Sequence, residues 1–204
     1  MKTARAYSMT TRAEAVEETR RRVLRATIAL SAEKSTLEIV LADVAARAGV
    51  TTKTILRHFG SREGLFDAAT DYARNEVVQE RLAPVGDLPA AITVVVDHYE
   101  ERGDWVIRML AQEDSDDRVR RVVETGRGVH RDWVDTTFKP QLDSVSAAER
   151  PAAADLLAVA TDVYVWKLLR RDRGLTRDKT EQRMRVLAQA IVDQLSTPEG
   201  DDRT

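Results

Sequence analysis

The sequence predicts an all-α protein. Its 204 residues include only nine Gly and five Pro, too few for the many turns of a β-protein. Ala, Leu, Arg and Glu, which favour helices, are frequent, and apolar residues recur at helical spacing along most of the chain. A chain of this length suits one domain or two small ones. We expect two, an N-terminal domain over residues 1–60 and a C-terminal helical domain over residues 61–204.

Three helices are predicted in the N-terminal domain. After an arm over residues 1–11 that is expected to be flexible, an amphipathic helix runs from about Arg12 to Glu33. Residues 34–40 break the apolar pattern and indicate a connection. Two short helices follow, over residues 41–48 and from about Thr52 to Phe59.

The turn between the two short helices has its own local signal. Gly49 stands where a helix ends in a left-handed residue, a conformation that glycine adopts at low cost. One of the following threonines, Thr51 or Thr52, can cap the second short helix through its hydroxyl group. The spacing therefore predicts a helix, a tight turn and a second helix.

The C-terminal domain is predicted to consist of further helices. The first is capped by Ser61 and continues to about Leu82, and the Pro- and Gly-containing segment 83–89 ends it. An interruption is expected at Arg102-Gly103, and Ser146 to Glu149 forms a capping box. The later helices are predicted over about residues 88–101, 104–113, 116–138, 147–171 and 177–195, and residues 196–204 are expected to be a loose polar tail.

The net charge of −2 is unevenly distributed. Residues 1–65 carry 12 Lys/Arg and 7 Asp/Glu, whereas the remaining residues carry 20 and 27. A basic N-terminal domain joined to an acidic body is the distribution expected of a protein that reads an anionic polymer. Many solvated helices are equally charged, so the balance supports this interpretation only together with a motif.

Several classes of protein are disfavoured. Without Cys the chain has neither disulfides nor a thiol switch, and three His give no credible zinc spacing. The N-terminus lacks the apolar region of a signal peptide, and no apolar run approaches the roughly 18 residues of a membrane span. We therefore expect a cytoplasmic protein with no membrane partner. Without a phosphate-binding Gly loop or a nucleophile elbow, we expect no enzyme activity, no metal and no cofactor.

The strongest functional signal is the helix-turn-helix over residues 41–62. In such a motif the second helix enters the DNA major groove, so its outer side chains must offer hydrogen-bond donors. Val50, Ile55 and Phe59 supply the buried face of this helix, and a solvated helix of a structural bundle is the alternative reading. The predicted DNA-facing donors are Thr51, Thr52, Lys53, Thr54, Arg57 and His58.

The chain resembles the N-terminal domain of TetR-family regulators over about residues 12–70. Three segments carry the resemblance and keep their relative spacing: Arg22-Val-Leu-Arg-Ala-Thr-Ile-Ala-Leu30, Leu41-Ala-Asp-Val-Ala-Ala-Arg-Ala-Gly-Val-Thr51 and Thr54-Ile-Leu-Arg-His-Phe-Gly-Ser-Arg-Glu-Gly-Leu65. The resemblance implies an all-helical homodimer whose N-terminal domains bind a roughly palindromic double-stranded DNA operator. It also implies a C-terminal body that holds a small-molecule effector and usually releases the DNA when occupied.

The resemblance also implies roles for single residues. Thr51 and Thr54 fall where the family places hydroxyl groups on phosphates or base edges, and His58 falls where it often has a phosphate-contacting His. Lys53 falls at an exposed base-reading position, and a Lys can donate to guanine O6 and N7. Arg62 replaces a common Lys at the start of the fourth helix, where we expect it to help hold a phosphate.

The sequence departs from the family pattern at several positions. Leu56 stands where a Tyr is usual and cannot donate a hydrogen bond to phosphate. Ser31 replaces a usual Phe, and Ser35-Thr36 replaces a usual Gly-aromatic pair. We expect residues 39–41 to refill this part of the core, which removes the usual hydroxyl cap before the helix of residues 41–48.

The last two helices are expected to form the homodimer interface. The helices over residues 147–171 and 177–195 are rich in apolar residues, and two from each subunit would form a four-helix bundle, as the resemblance implies. An intramolecular core is the alternative. Paired DNA-reading helices need such a link, because two half-sites lie about one helical turn apart.

An effector pocket is predicted in the C-terminal domain, where most of the aromatic residues of that domain lie in a few helices. Pockets are mainly apolar with a few polar groups, for which Asp97, His98 and His130 are also candidates. Ordinary core packing is the alternative for each aromatic residue. The predicted pocket residues are Tyr99, Trp105, Met109, Glu113, Trp133, Phe138 and Trp166.

Together these patterns predict a homodimeric TetR-type transcriptional regulator, a repressor that an unidentified small-molecule effector releases from its operator. The alternative is a helical ligand-binding or protein-interaction module whose DNA-binding domain has lost its function. Leu56 would allow that loss, whereas Lys53, Arg57 and Arg62 argue against it.

Overall fold

The structure is a computed structural model that describes residues 3–195, with side chains from residue 13 onward. Within this range the chain is all-α and contains no strand, as the sequence predicts. It divides into two compact units, the first ending at Asn75 and the second beginning at Glu76. The predicted tail over residues 196–204 lies outside the described residues.

The first unit contains three complete helices and the beginning of a fourth. A single 3-10 turn, Thr36–Glu38, lies in the predicted connection. The helices are α1 (Thr3–Glu33), α2 (Leu41–Ala48), α3 (Thr52–Phe59) and α4 (Arg62–Glu80). The backbone of residues 3–11, which the sequence assigns to a flexible arm, continues α1.

The core of the first unit includes the start of α4. Leu65, Phe66 and Ala69 of this helix are buried with residues of α1, α2 and α3. The unit boundary therefore lies inside α4, about fifteen residues beyond the predicted boundary at residue 60. The prediction ended the domain at a turn, whereas the apolar face of the following helix completes its core.

The second unit is a larger helical bundle. Its largest fully buried side chains belong to one core cluster and are Trp166, Phe138, Ile92, Leu142, Leu157 and Met184. Its elements are α5 (Leu88–Leu110), α6 (Asp117–Thr137), α7 (Lys139–Leu142), α8 (Arg150–Ala160), α9 (Val163–Lys167), a π-helical turn (Leu168–Asp172) and α10 (Arg177–Leu195).

The predicted interruption at Arg102-Gly103 is wrong, since α5 runs unbroken from Leu88 to Leu110. Its cap is Asp87, whose carboxylate accepts a hydrogen bond from the Ala90 N–H at 2.9 Å. Gly103 has a packing role: a Cβ at this position would lie 2.5 Å from the buried ring of Trp166. Asp104, expected to cap a new segment, instead bonds Arg171.

The predicted helix over residues 147–171 is divided. Its capping box is present, with the Ser146 N–H donating to Glu149 at 3.1 Å and the Glu149 N–H donating to Ser146 Oγ at 3.3 Å. However, α8 ends at Ala160, and Asp162 caps α9 by accepting from the Tyr164 N–H at 2.8 Å. The Asp162 carboxylate competes with the helical carbonyls for backbone N–H groups and so ends one helix and begins the next. The pattern of apolar residues alone does not reveal this competition.

No helix between residues 3 and 195 is both long and apolar enough to cross a membrane.

Candidate functional site

The turn between α2 and α3 is set by the backbone at Gly49. This residue has φ 65°, in the left-handed region that favours glycine, and the next N–H, of Val50, reaches back to the Ala45 carbonyl at 3.0 Å. The turn thus satisfies carbonyls at the end of α2 and brings the chain directly into α3. The predicted helix, turn and helix are confirmed.

A hydroxyl group fixes the start of α3. Thr51 Oγ1 accepts a hydrogen bond from the Thr54 N–H at 3.1 Å and lies 3.0 Å from Thr54 Oγ1. Thr51, rather than Thr52, is therefore the N-cap. Both hydroxyl groups are held in place at the N-terminus of the helix, where N–H groups attract anions.

One side of α3 is exposed and carries free cations. Ile55 is fully buried and anchors the opposite side, while Thr52, Lys53, Leu56 and Arg57 are exposed. Lys53 and Arg57 have no ion pair among the residues whose side chains are described. Their donors are available to an external partner, and His58 and Thr54 at the edges of this face are half-buried.

Two other cations of the first unit, Arg47 and Lys34, are bound to carboxylates. Arg47 makes a two-pronged pair with Glu33, at 2.7 and 2.8 Å, and this hydrogen bonding holds the pKa of the Glu33 carboxyl below its usual value. Lys34 bonds Asp43 at 2.5 Å. These pairs tie α1 and the segment that follows it to α2, so Arg47 and Lys34 have structural partners within the unit.

Arg62 has a different setting from the predicted phosphate contact. Its Nε donates to the Ile39 carbonyl at 3.1 Å and its Nη2 to the Thr36 carbonyl at 2.5 Å. Its guanidinium carbon lies 4.7 Å from the centre of the Phe66 ring. The side chain therefore fastens the loop before α2 to α4, and two of its three nitrogens are used in doing so.

The residues of the loop before α2 fill the core only partly as the sequence predicts. Ile39 is 1% exposed and joins the core, and Leu41 is half-buried against it. Val40 is 53% exposed, so its predicted core role is wrong: it occupies the N-cap position of α2, where its side chain points to solvent and makes no capping bond. The loss of a hydroxyl cap at this position is confirmed.

The predicted pocket residues do not form one cluster. Tyr99, Phe138 and Trp166 are buried in the main core of the second unit, with Trp133 partly buried beside them. Trp105 and Met109 belong to a separate small cluster. The Glu113 carboxylate pairs with Arg127 at 2.7 and 2.8 Å on the surface. The pocket as a set stays a prediction, with its members in three places.

A polar cluster, buried at Arg81, His98 and Thr161, lies next to the main core. We call it the Arg81 cluster; its charged and polar members are Glu80, Arg81, His98, His130 and Thr161. The Arg81 Nη2 and His130 Nδ1 are 2.7 Å apart, and His130 Nε2 lies 3.1 Å from the Ala158 carbonyl. His98 Nδ1 lies 3.2 Å from Glu80 Oε2. Burial and then the charge of Arg81 lower the pKa of His98 and His130 to about 4.

Sequence reasoning proposed His98 and His130 as polar groups but missed Arg81. This residue is only 4% exposed, although it follows the polar pair Gln79-Glu80 in a stretch typical of a solvated helix end. Its backbone carbonyl accepts the Trp133 indole N–H at 2.7 Å. The one sequence feature that points to burial of Arg81 is its position just before the helix break at Pro84, because a chain that leaves a helix can turn towards the core.

The geometry of α2, Gly49 and α3 defines a helix-turn-helix domain of the kind that binds DNA. Residues 23–69 match the family model described as bacterial regulatory proteins of the tetR family, which spans this motif and the core of the first unit. Over these residues the chain is similar to the TetR family of transcriptional regulators, in agreement with the sequence resemblance.

Solved structures share the fold over most of the chain. A transcriptional regulator from Rhodococcus sp. Rha1 is 15% identical, with a TM-score of 0.64 over 87% of this chain and 98% of its own. A tetR-family transcriptional regulator from Streptomyces coelicolor is 16% identical, with a TM-score of 0.59 over 90% of this chain and 91% of its own. At such identities the likeness shows the fold alone. No curated protein matches the sequence.

Proposed function

We propose that this chain is a cytoplasmic, homodimeric repressor that binds a palindromic operator through α3 and leaves it when a small molecule binds the second unit. The observation that carries the DNA-binding part is the exposed face of α3. Lys53 and Arg57 are free of internal partners, while the buried Ile55 and the Thr51 cap hold the helix that presents them.

Lys53 is proposed to read bases and Arg57 to contact bases or phosphates. A Lys in the major groove donates to guanine, and a contact of this kind discriminates by about 1–3 kcal/mol against a wrong base. Leu56, exposed beside them, has no donor but offers an apolar surface, which suits contact with a thymine methyl group. Arg62 is proposed to act through the loop that it holds.

The decisive experiment is a fluorescence-anisotropy titration of the protein with DNA from the flank of its own gene, at several salt concentrations. The Lys53→Ala variant is expected to lose discrimination between the operator and a scrambled sequence. Arg121→Ala is a charge-matched control, since Arg121 is exposed on α6 in the second unit. Unchanged operator binding by Lys53→Ala contradicts the assignment of that residue. Absence of specific, salt-dependent binding by the wild type favours the interaction-module alternative.

The proposed homodimer is supported by apolar side chains left uncovered on the last helices. Leu156, Val159, Tyr164, Leu168, Val186 and Leu187 are between 42% and 62% exposed. An apolar surface of this kind, on α8, α9, the π-helical turn and α10, is typical of a protein interface.

A pair of matched variants tests the interface. Val159→Glu places a charge on the proposed contact surface, where Val159 is 62% exposed, and is expected to give monomers in sedimentation equilibrium. Val85→Glu is the control, since Val85 is 57% exposed in the segment before α5. If both variants sediment like the wild type, the last helices do not form the interface.

A further inference from the structure

The buried guanidinium of Arg81 lacks a counter-ion in the described part of the chain. Its Nε is inaccessible to solvent and has no hydrogen-bond partner, and no carboxylate oxygen lies within ion-pair distance. Its contacts are neutral: His130, and the Trp133 ring, whose centre is 4.4 Å from the guanidinium carbon. A buried charge of this kind is unfavourable unless a charge of opposite sign compensates it.

The carboxylates of Glu80 and Asp162 already have partners. Glu80 forms a two-pronged pair with Arg102, with 2.8 Å between Nε and Oε2, and also contacts His98. Asp162 caps α9 through the Tyr164 N–H, and burial raises the pKa of its carboxyl. Asp162 is close enough for a favourable Coulombic interaction with Arg81, but neither carboxylate forms an ion pair with it in the described part of the chain.

The histidines cannot compensate the charge either. With His130 Nε2 donating to the Ala158 carbonyl, Nδ1 is left as the acceptor for Arg81, which is the neutral form of the ring. His98 is 6% exposed and is likewise neutral at pH 7, because burial lowers its pKa to about 4. Arg81 therefore lies beside aromatic surface without a direct ion-pair partner among the described residues, and Asp162 acts on its charge only from a distance.

We propose that Arg81 is the anion-recognition residue of the effector site and binds the carboxylate of a small organic acid. This inference rests on the proposed function, because it names the chemical class of the effector. A monoanion matches the one buried guanidinium of the described chain that lacks an ion-pair partner, and a guanidinium holds a carboxylate through two parallel hydrogen bonds. The aromatic rings beside it, Trp133 and then Phe138 at 5.7 Å from Trp133, suit an apolar body on the acid.

The side chains of His130 and Trp133 contact the guanidinium. Trp133 and His130 are each only partly buried, and their rings are stacked with centres 5.8 Å apart. The proposed site requires that these two side chains change rotamer so that a carboxylate reaches the unused Nε. Arg81 directly follows the last residue of α4, the helix that begins in the first unit, so an effector bound here acts at the end of that helix.

The test uses benzoate and octanoate, with benzamide and octanamide as neutral counterparts and sodium chloride at equal ionic strength. Intrinsic fluorescence is the readout, because Trp133 touches Arg81 and all three Trp residues lie in the second unit. At least one acid is expected to give a saturable change in the wild type that its amide does not give. Arg81→Gln and Arg81→Met are expected to weaken this binding at least tenfold.

Arg170→Gln is the matched control, because Arg170 is partly buried but paired with Glu100 at 2.9 Å. It is expected to bind the acid within twofold of the wild type. Circular dichroism checks that each variant is folded, and Arg81→Met keeps the comparison possible if Arg81→Gln is not. Binding of neither acid by the wild type overturns the proposal, as does equal binding by both Arg81 variants or by the amide.

Repeating the operator titration with the acid present separates this inference from the proposed function. If benzoate or octanoate weakens operator binding by the wild type but not by the Arg81 variants, the result supports both the effector site and the proposed function. Specific operator binding together with no response to either acid overturns the effector class and leaves the DNA-binding role intact. Acid binding at Arg81 without any change in operator affinity overturns release by the effector but leaves the anion site.

Discussion

Replacing Gly103 by Ala introduces one methyl group at the tightest point between α5 and Trp166. A Cβ at this position would lie 2.5 Å and 2.7 Å from two carbons of the indole ring. The ring cannot move away easily: it is fully buried, its N–H donates to Glu100 at 2.9 Å, and Arg171 lies 4.5 Å from its centre. The helix and the ring must therefore separate.

The expected magnitude follows from two opposing effects. Ala stabilises a helix interior by about 1 kcal/mol relative to Gly. Overpacking a well-packed core costs roughly 1–3 kcal/mol, and a rigid ring makes the upper end apply, about 3 kcal/mol. The Gly103→Ala variant is thus expected to lose about 2 kcal/mol of the free energy of unfolding.

Gly126→Ala is the matched control within the same chain. Gly126 is exposed in α6, and nothing lies within 4 Å of the position of its Cβ. Only the helix effect remains, so this variant is expected to gain roughly 0.5–1 kcal/mol. The two variants together separate the packing effect from the change in helix propensity.

Urea unfolding followed by tryptophan fluorescence is the assay. Trp105, Trp133 and Trp166 all lie in the second unit, so the signal reports the unfolding of the unit that contains both glycines. One protein concentration must be used throughout, since dimerisation would stabilise the folded state by mass action. A Gly103→Ala variant as stable as Gly126→Ala would refute the argument that Gly103 makes room for the ring.

Three further predictions concern charge and capping. Burial lowers the pKa of His98 and His130 from 6.5 to about 4, so the stability that depends on their neutral forms is complete above pH 6.5 and is lost as the pH falls towards 4. Urea titrations should show that the free energy of unfolding falls by roughly 2 kcal/mol per His between pH 7 and 5. Equal urea midpoints at the two pH values would contradict this prediction. Arg62→Ala removes both hydrogen bonds to the loop before α2 and should destabilise the first unit by about 2–3 kcal/mol. The circular-dichroism transition should then begin at a lower urea concentration, while the tryptophan-fluorescence transition does not change. Weaker DNA binding at unchanged stability would instead assign Arg62 to a phosphate contact. Thr51→Val should lower the stability of the same unit by about 1 kcal/mol while Thr51→Ser does not, and identical transitions for the two variants would rule out the capping role.

The parts of the fold that follow from short-range chemistry could be predicted from the sequence. The left-handed residue at Gly49, the cap of α3 and the capping box before α8 each depend on groups within five residues of one another. Such interactions form in the local chain whatever surrounds it. For the same reason, the candidate DNA-facing residues could be assigned to one helix, and the exposed and buried positions along that helix could be predicted.

The remaining features depend on residues far apart in the chain. Gly103 looks like a helix break until the Trp166 ring, contributed by α9, is placed against it. The hydrogen-bond partners of Arg62 lie 23 and 26 residues earlier in the chain. From the sequence alone, this exposed-looking cation is therefore predicted to contact DNA. Arg81 stands in a polar stretch, and only the packing of α5, α6 and α8 around it explains its burial.

The division of the chain inside α4 constrains how such a protein can vary in length. Most connections between units are loops, which absorb insertions because each added residue can bulge into solvent. Here a continuous helix, Arg62–Glu80, crosses the boundary between Asn75 and Glu76. A residue added or removed at the start of this helix would turn Leu65, Phe66 and Ala69 by about 100° about the helix axis, away from the core of the first unit. Recombination that exchanges DNA-binding domains between relatives must therefore keep the first turns of this helix with the domain, because their apolar side chains complete its core.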